Sequence, residues 1–220
     1  MLPVAEQLIQ NGHVLIGIMS FPCDQVFNFN HNCKSLAKHV DASYIESPIT
    51  DVHIESFLGK STNLFISAGY PHKIPAVDIE KAYGINIHPS HLPRARGAMP
   101  VPHIIMNNDY ESAGYTIHKL APTFDSGDIL FQEKIELSEQ ENVETYCAKI
   151  LASAPSRTAE IIKDIDLHWA QAKSQDESNS THYKLPDIKT RTLNWSEKVS
   201  DIIRQANAFG RYGCYGLIHD

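Results

Sequence analysis

A chain of 220 residues suits one well-buried domain with a small appendage rather than two full domains. Its formal net charge of −7, from 26 acidic against 19 basic residues with no Lys/Arg run, lacks the electrostatic footprint of a nucleic-acid binder and favours small-molecule partners. Cys23, Cys33, Cys147 and Cys214 form no Cys-x-x-Cys pair, the longest apolar run (14–19) is too short to span a bilayer, and the N-terminus lacks a signal peptide's basic region and cleavage site, so zinc knuckle, disulfide framework and membrane span are disfavoured and a reducing cytoplasm is expected.

In chain order, residues 3–11 predict an amphipathic helix with Val4, Leu8, Ala5 and Ile9 on one side, stopped by Asn11-Gly12. A buried strand over 14–19 follows. A helix feeding a strand is the second half of a βαβ unit, and its first half is not in sight. An irregular loop is expected over 20–33, a helix over 34–40, a brief strand at Tyr44-Ile45, a helix over 51–58 and a strand over 64–67. The next stretch, Ala68-Gly69-Tyr70-Pro71-His72-Lys73-Ile74-Pro75, is a loop whose Gly and Pro residues fix an irregular backbone, either an ordinary βα turn or a place where main-chain groups read a flat ligand. A helical turn over 77–83, a strand over 85–88, a helix over 101–106 and strands over 113–120 and 129–135 complete the alternation, before a long helix over 142–165 interrupted near Ala154-Pro155. The polar, turn-rich stretch 173–186 places a domain boundary after residue 172, with a linker and helical segment over 173–220. In that segment an amphipathic helix is expected after Trp195-Ser196, with Val199, Ile202, Ile203 and Ala206 inward. The class is α/β, a Rossmann-like, mostly parallel sheet with flanking helices.

Chemistry concentrates at the strand over 85–88. Ile85 and Ile87 alternate with Asn86 and His88, so the carboxamide and the imidazole share one face, and Pro89 ends the strand. At a strand end, where open α/β sheets bind ligands, such a pair offers a donor for an oxyanion and a base, or is simply satisfied by backbone and water. The same alternation puts Thr116 and His118 on one face of the strand over 113–120. Between that strand and the next lies Thr123-Phe124-Asp125-Ser126-Gly127-Asp128-Ile129, a turn with two carboxylates. Asn86, His88 and Asp125 together would make a triad without a protein nucleophile, suited to direct attack by a substrate amine. His91, His103 and His118 beside His88 and Asp125 also permit a metal-hydrolase reading, which Pro89 and Pro93 disfavour by limiting convergence on one ion. Arg94 and Arg96 are either anion contacts for a ligand or a solvated basic loop.

Four motifs stand in order and spacing: Asn86-Ile87-His88-Pro89-Ser90 with Leu92-Pro93 and Arg96-Gly97, then Gly114-Tyr115-Thr116-Ile117-His118, then Phe124-Asp125-Ser126-Gly127-Asp128-Ile129. Together they resemble the N10-formyltetrahydrofolate-dependent formyltransferases, closely over 64–137 and more loosely elsewhere. The resemblance implies Asn86, His88 and Asp125 as catalytic residues and His118 as support for the Asp125 loop. It also implies folate contacts from Tyr70, His72, Lys73, Ile74, Phe124 and Ser126. N10-formyltetrahydrofolate is then the co-substrate, no metal is needed, and the acceptor is a primary amine of a small molecule, for example a nucleotide-linked amino sugar.

The same resemblance carries two departures. An apolar strand lying mid-sheet would precede the helix over 3–11, so a first strand is expected to be missing. Residues 183–210 resemble the linker and first helix of the C-terminal region of methionyl-tRNA formyltransferase, without the barrel that follows there, which with the acidic chain disfavours a tRNA acceptor. The rival readings are therefore a methionyl-tRNA formyltransferase-like protein and a folate-binding module without activity. The apolar positions of the 142–165 helix, Tyr146 and Ile150 among them, are core or homodimer packing.

Overall fold

In a computed structural model, the structure describes residues 2–20, 30–70, 72–75 and 77–217. Helix α1 (Leu2–Gln10) leads into strand β1 (Gly17–Met19), and helix α2 (Asn30–His39) into β2 (Ser43–Ile45). Most of the expected 20–33 loop, residues 21–29, lies outside the described residues. Helix α3 (Asp51–Leu58) precedes β3 (Leu64–Ser67) and β4 (Tyr83–His88), followed by β5 (Arg96–Gly97), α4 (Pro100–Met106), β6 (Gly114–Lys119) and β7 (Ile129–Lys134). Helices α5 (Val143–Lys163) and α6 (Ile165–Ala170), strand β8 (His182–Tyr183) and helices α7 (Ile188–Arg191) and α8 (Val199–Phe209) complete the chain.

The central sheet has four strands in the order β3-β4-β6-β7. Only β3 and β4 run parallel; β4–β6 and β6–β7 are antiparallel. The expected mostly parallel sheet is thus a mixed one. Between β4 and β6 the chain forms the two-residue β5 and the seven-residue α4 and then returns antiparallel. Strands β1 and β2 pair in parallel as a separate two-stranded sheet, so among the described residues no strand pairs with the outer edge of β3.

Two apolar clusters hold these layers. The larger joins Ile85, Ile87, Tyr115 and Ile117 of the central sheet to Val4 and Leu8 of α1, Ile104 and Ile105 of α4, and Tyr146, Ile150 and Ile161 of α5. The smaller joins Ile54 and Phe57 of α3 to Phe65 of β3, with Met19 and Ile45 of the two-stranded sheet, and Ile16 just before it, packed against it. Helix α3 therefore covers both sheets at once.

Two local expectations change. Helix α5 runs unbroken through Pro155: the missing N–H leaves one carbonyl of the preceding turn without its helical partner, but Ala154, Thr158 and Ile161 are buried around the ring and Thr158 Oγ1 donates to the Ala154 carbonyl at 2.7 Å. The helical turn expected over 77–83 is a single turn at 79–81, where Lys81 N and Ala82 N both donate to the Asp78 carbonyl at 2.9 Å before Tyr83 pairs with Leu64 in the sheet. In α8 the buried residues are Ala208 and Phe209, whereas Val199, Ile203 and Ala206 face outward.

Candidate active site

Strand register builds the site. Antiparallel pairing sets Asn86 opposite His118 and His88 opposite Thr116, so the two polar faces read from alternation merge into one patch. Parallel pairing sets Ser67 beside Asn86, so the loop that carries Tyr70, His72, Lys73 and Ile74 leaves β3 at the level of Asn86. The chain after His88 folds back as a tight loop. Thr116 Oγ1 donates to the Ser90 carbonyl at 2.7 Å and accepts from Leu92 N at 3.1 Å, while Gln132 Nε2 donates to the Leu92 carbonyl at 2.6 Å.

Asp125 enters from the β6–β7 turn with φ 54°, a left-handed conformation that Asp tolerates better than most residues. Two residues on, a Cβ on Gly127 would sit 1.9 Å from the Lys119 carbonyl oxygen, so only glycine lets the turn press this closely on β6. The carboxylate lies among four groups: Oδ1 accepts from Asn86 Nδ2 at 3.2 Å and is 3.4 Å from His88 Nδ1 and 3.6 Å from His118 Nε2, while Oδ2 accepts from Gly97 N at 2.9 Å. Burial pushes the Asp125 carboxyl up, but His118, His88 and the Gly97 N–H outweigh it and hold it at about 2.

Ring protonation follows from carbonyls, which only accept. His88 Nε2 meets the Ala95 carbonyl at 2.9 Å and carries the hydrogen, leaving Nδ1 of the neutral ring as a bare lone pair beside Asp125. His118 Nδ1 donates to the Lys119 carbonyl at 2.8 Å, so Nε2 accepts from Asn86 Nδ2 at 3.1 Å. Both hydrogens of the Asn86 amide are thereby engaged, one by His118 and one by Asp125. His88 is 4% exposed, and burial pulls its pKa below the ordinary histidine value; Asp125 and the Ala95 carbonyl act the other way.

Asn86, His88, Asp125 and His118 thus converge as expected from their residue types. The residues expected to touch folate lie on the loop after β3 and in the Asp125 turn. Tyr70 and Ile74 pack against the Phe57–Phe65 cluster, with the Tyr70 hydroxyl accepting from Ile49 N at 2.9 Å. His72 lies edge-on to Tyr70, and Lys73 is exposed. Phe124 is 52% exposed next to Asp125, and the Ser126 hydroxyl turns back onto the Thr123 carbonyl at 3.0 Å.

Arg96 is not the open anion contact that its loop position suggested. It is 2% exposed, and its guanidinium is bound by Glu177 (2.7 and 2.9 Å) and by Gln175 Oε1 (2.6 and 3.1 Å). Gly97, whose N–H holds Asp125, carried a signal as part of a quoted motif. Gln175 carried none, sitting in a polar turn where glutamine is ordinary.

A family model described as formyl transferase matches residues 51–162, half of the chain. The methionyl-tRNA formyltransferase of Treponema denticola is 34% identical over 133 residues, covering 60% of this chain and 41% of that protein, so the chain spans less than half of that relative's length. A sugar N-formyltransferase from a Shewanella species has a similar fold, with a TM-score of 0.67 at 17% identity over 94% of both chains. So has the sugar 3N-formyl transferase WlaRD, solved in the presence of dTDP and 5-N-formyl-THF, with a TM-score of 0.68 at 19% identity over 94% of this chain and 74% of that one. By the match over β3 to α5, the stretch that builds the Asn86–His88–Asp125 cluster, the chain belongs to the formyl transferase family.

Proposed function

We propose that this chain transfers a formyl group from N10-formyltetrahydrofolate to a primary amine of a small molecule, with His88 as base, Asp125 as its charged partner and Asn86 as oxyanion donor. The observation that carries the reading is the bare Nδ1 of a buried, neutral His88 lying 3.4 Å from an ionised Asp125. An amine attacks only when unprotonated, and the tetrahedral adduct then has a proton to lose. Nδ1 is placed to take that proton, and Asp125 stabilises the imidazolium that results. For Asn86 to hold an oxyanion, one of its N–H groups must leave His118 or Asp125, so the donor becomes free only when the site rearranges.

The residues fit a flat, partly apolar ligand. Phe124 presents an exposed ring one residue from Asp125, and the loop through Tyr70 and Ile74 starts level with Asn86. When bound, the folate supplies the formyl carbon; Phe124, Tyr70, His72, Ile74 and the backbone around Ser126 would hold its ring, and Lys73 is an exposed cation available to a carboxylate tail. Asn86, His88 and Asp125 need no metal for these roles. The similar fold of sugar N-formyltransferases supports a nucleotide-linked amino sugar as the first acceptor to try.

The test is to incubate the purified chain with N10-formyltetrahydrofolate and a panel of amines and follow both formylated product and free tetrahydrofolate. Transfer to at least one amine is expected, with Asn86→Ala lowering kcat by about 10²–10³. Unchanged turnover in Asn86→Ala and His88→Ala would refute the assigned roles. Folate binding without transfer or hydrolysis would favour the binding-module reading, which the β3 edge left without a strand partner among the described residues supports.

A further inference from the structure

We propose that residues 173–183 form a strap that sets the position of Asp125 from outside the site, with Gln175 as the positioning residue and the buried Arg96 as its anchor. The inference rests on the proposed role of Asp125 and extends it to a segment that no catalytic argument reaches.

Every polar group of the Gln175 amide is used. Nε2 donates to the Asp125 carbonyl at 2.8 Å and to the Gly127 carbonyl at 2.7 Å, gripping the turn at two points, while Oε1 accepts from Arg96. Arg96 in turn donates from Nη1 and Nη2 to Glu177 at 2.9 and 2.7 Å. A buried guanidinium without these partners would be strongly unfavourable, so the pairing ties the strap to the loop that follows His88.

The backbone repeats the attachment along the whole segment. Lys173 and Ile129 exchange hydrogen bonds at 2.7 and 2.9 Å. Thr181 accepts from Arg96 N at 2.9 Å through its carbonyl and from Ala95 N at 2.8 Å through its hydroxyl. β8 then pairs in parallel with β5, Arg96 opposite His182 and Gly97 opposite Tyr183, so closely that a Cβ on Gly97 would lie 2.4 Å from the Tyr183 oxygen.

What the strap grips from outside is what holds the catalytic groups from inside. The Ala95 carbonyl fixes His88 Nε2, and the Gly97 N–H fixes Asp125 Oδ2. Gln175 adds direct bonds to the Asp125 turn, so a displaced Gln175 moves the carboxylate relative to Nδ1 without itself touching a reacting atom. Proximity of that kind is steeply geometric: a shift of about 1 Å is enough to lose on the order of a hundredfold in rate.

The experiment compares Gln175→Ala and Gln175→Glu with the unmodified chain. Glu keeps an acceptor for Arg96 but loses both donors to the turn, so it isolates the grip on Asp125 from the anchor. Two readouts are taken: formyl-transfer kinetics, and NMR titration of His88, whose facing groups are Asp125, His118, Arg96 and the Ala95 carbonyl. Both variants are expected to lose at least tenfold in kcat with a smaller change in KM, and to shift the His88 midpoint downward as Asp125 withdraws. A reversible thermal unfolding transition for each variant confirms that it folds. If Gln175→Ala does not fold, Gln175→Glu carries the test. A folded variant with unchanged kcat and an unchanged His88 midpoint overturns the strap. If the unmodified chain transfers no formyl group, the reading of function fails separately, and the His88 midpoint alone decides the strap.

Discussion

In the proposed reaction His88 is the base, and its protonation gives a pH dependence with a definite sign. Burial lowers its pKa from the ordinary value of about 6.5, so the folded chain binds fewer protons there than the unfolded chain does. Its contribution to stability is therefore fully present above about pH 6.5 and is lost as pH falls through the lowered value. Transfer should fall in acid with an inflection below about 6.5, separate from any break above pH 7 that the amine's own deprotonation causes; a profile with no acid inflection below about 6.5 would remove His88 as the base. Asp125, held at about 2, contributes stability above its unfolded value, lost only as pH drops from about 4 toward 2. Asp125→Asn keeps the shape and removes the charge. It should lower the His88 midpoint further and reduce transfer by about 10²–10⁴, both measurable on one sample. Alternation alone put Asn86 and His88 on one face. That both Asn86 hydrogens are occupied was not legible, because it depends on strand register and on two ring tautomers that residue order does not encode.

At the scale of elements, the short segments bounded by turn residues were the readable ones. Asp51–Leu58 and Leu64–Ser67 stand where turn residues and apolar runs put them. Pro155 misled because a proline's local cost is set against the burial of its neighbours, and α5 buries Tyr146, Ile150, Ala154 and Ile161 on both sides of it. Helix α8 misled differently: its apolar stripe is real, but the part packed inside is its C-terminal end, with Phe209 fully buried and Val199 and Ile203 at 71% and 54% exposure. Val199→Ser and Ile203→Ser should then change unfolding free energy by no more than about 0.5 kcal/mol, against about 3–5 kcal/mol for Phe209→Ala in urea titrations. A loss of about 2 kcal/mol or more at Ile203 would mean that the outward face is packed in solution.

For the molecule as a whole, the α/β class with helices around a sheet was legible, and the direction of its strands was not. A short helix between two strands reads the same whether the second strand returns parallel or antiparallel; only the pairing of Asn86 with His118 tells them apart. None of the helices among the described residues is long and apolar enough to cross a membrane. The two sheets under α3 make a whole-molecule prediction. With β3 paired on one side only, alternate amides of Leu64–Ser67 should exchange with deuterium much faster than the amides of β4 and β6, which are flanked on both sides. Uniform protection across β3 would show that its outer edge is covered in solution.

The bond from His88 Nε2 to the Ala95 carbonyl has a consequence for traffic as well as for orientation. A carbonyl can accept a hydrogen bond but cannot hand a proton onward, and this one also accepts from Ser90 Oγ at 3.2 Å. The inner side of the ring is therefore a dead end. In the proposed reaction a proton gained at Nδ1 leaves on the side that faces Asp125, and the Ala95 side takes no part in resetting His88.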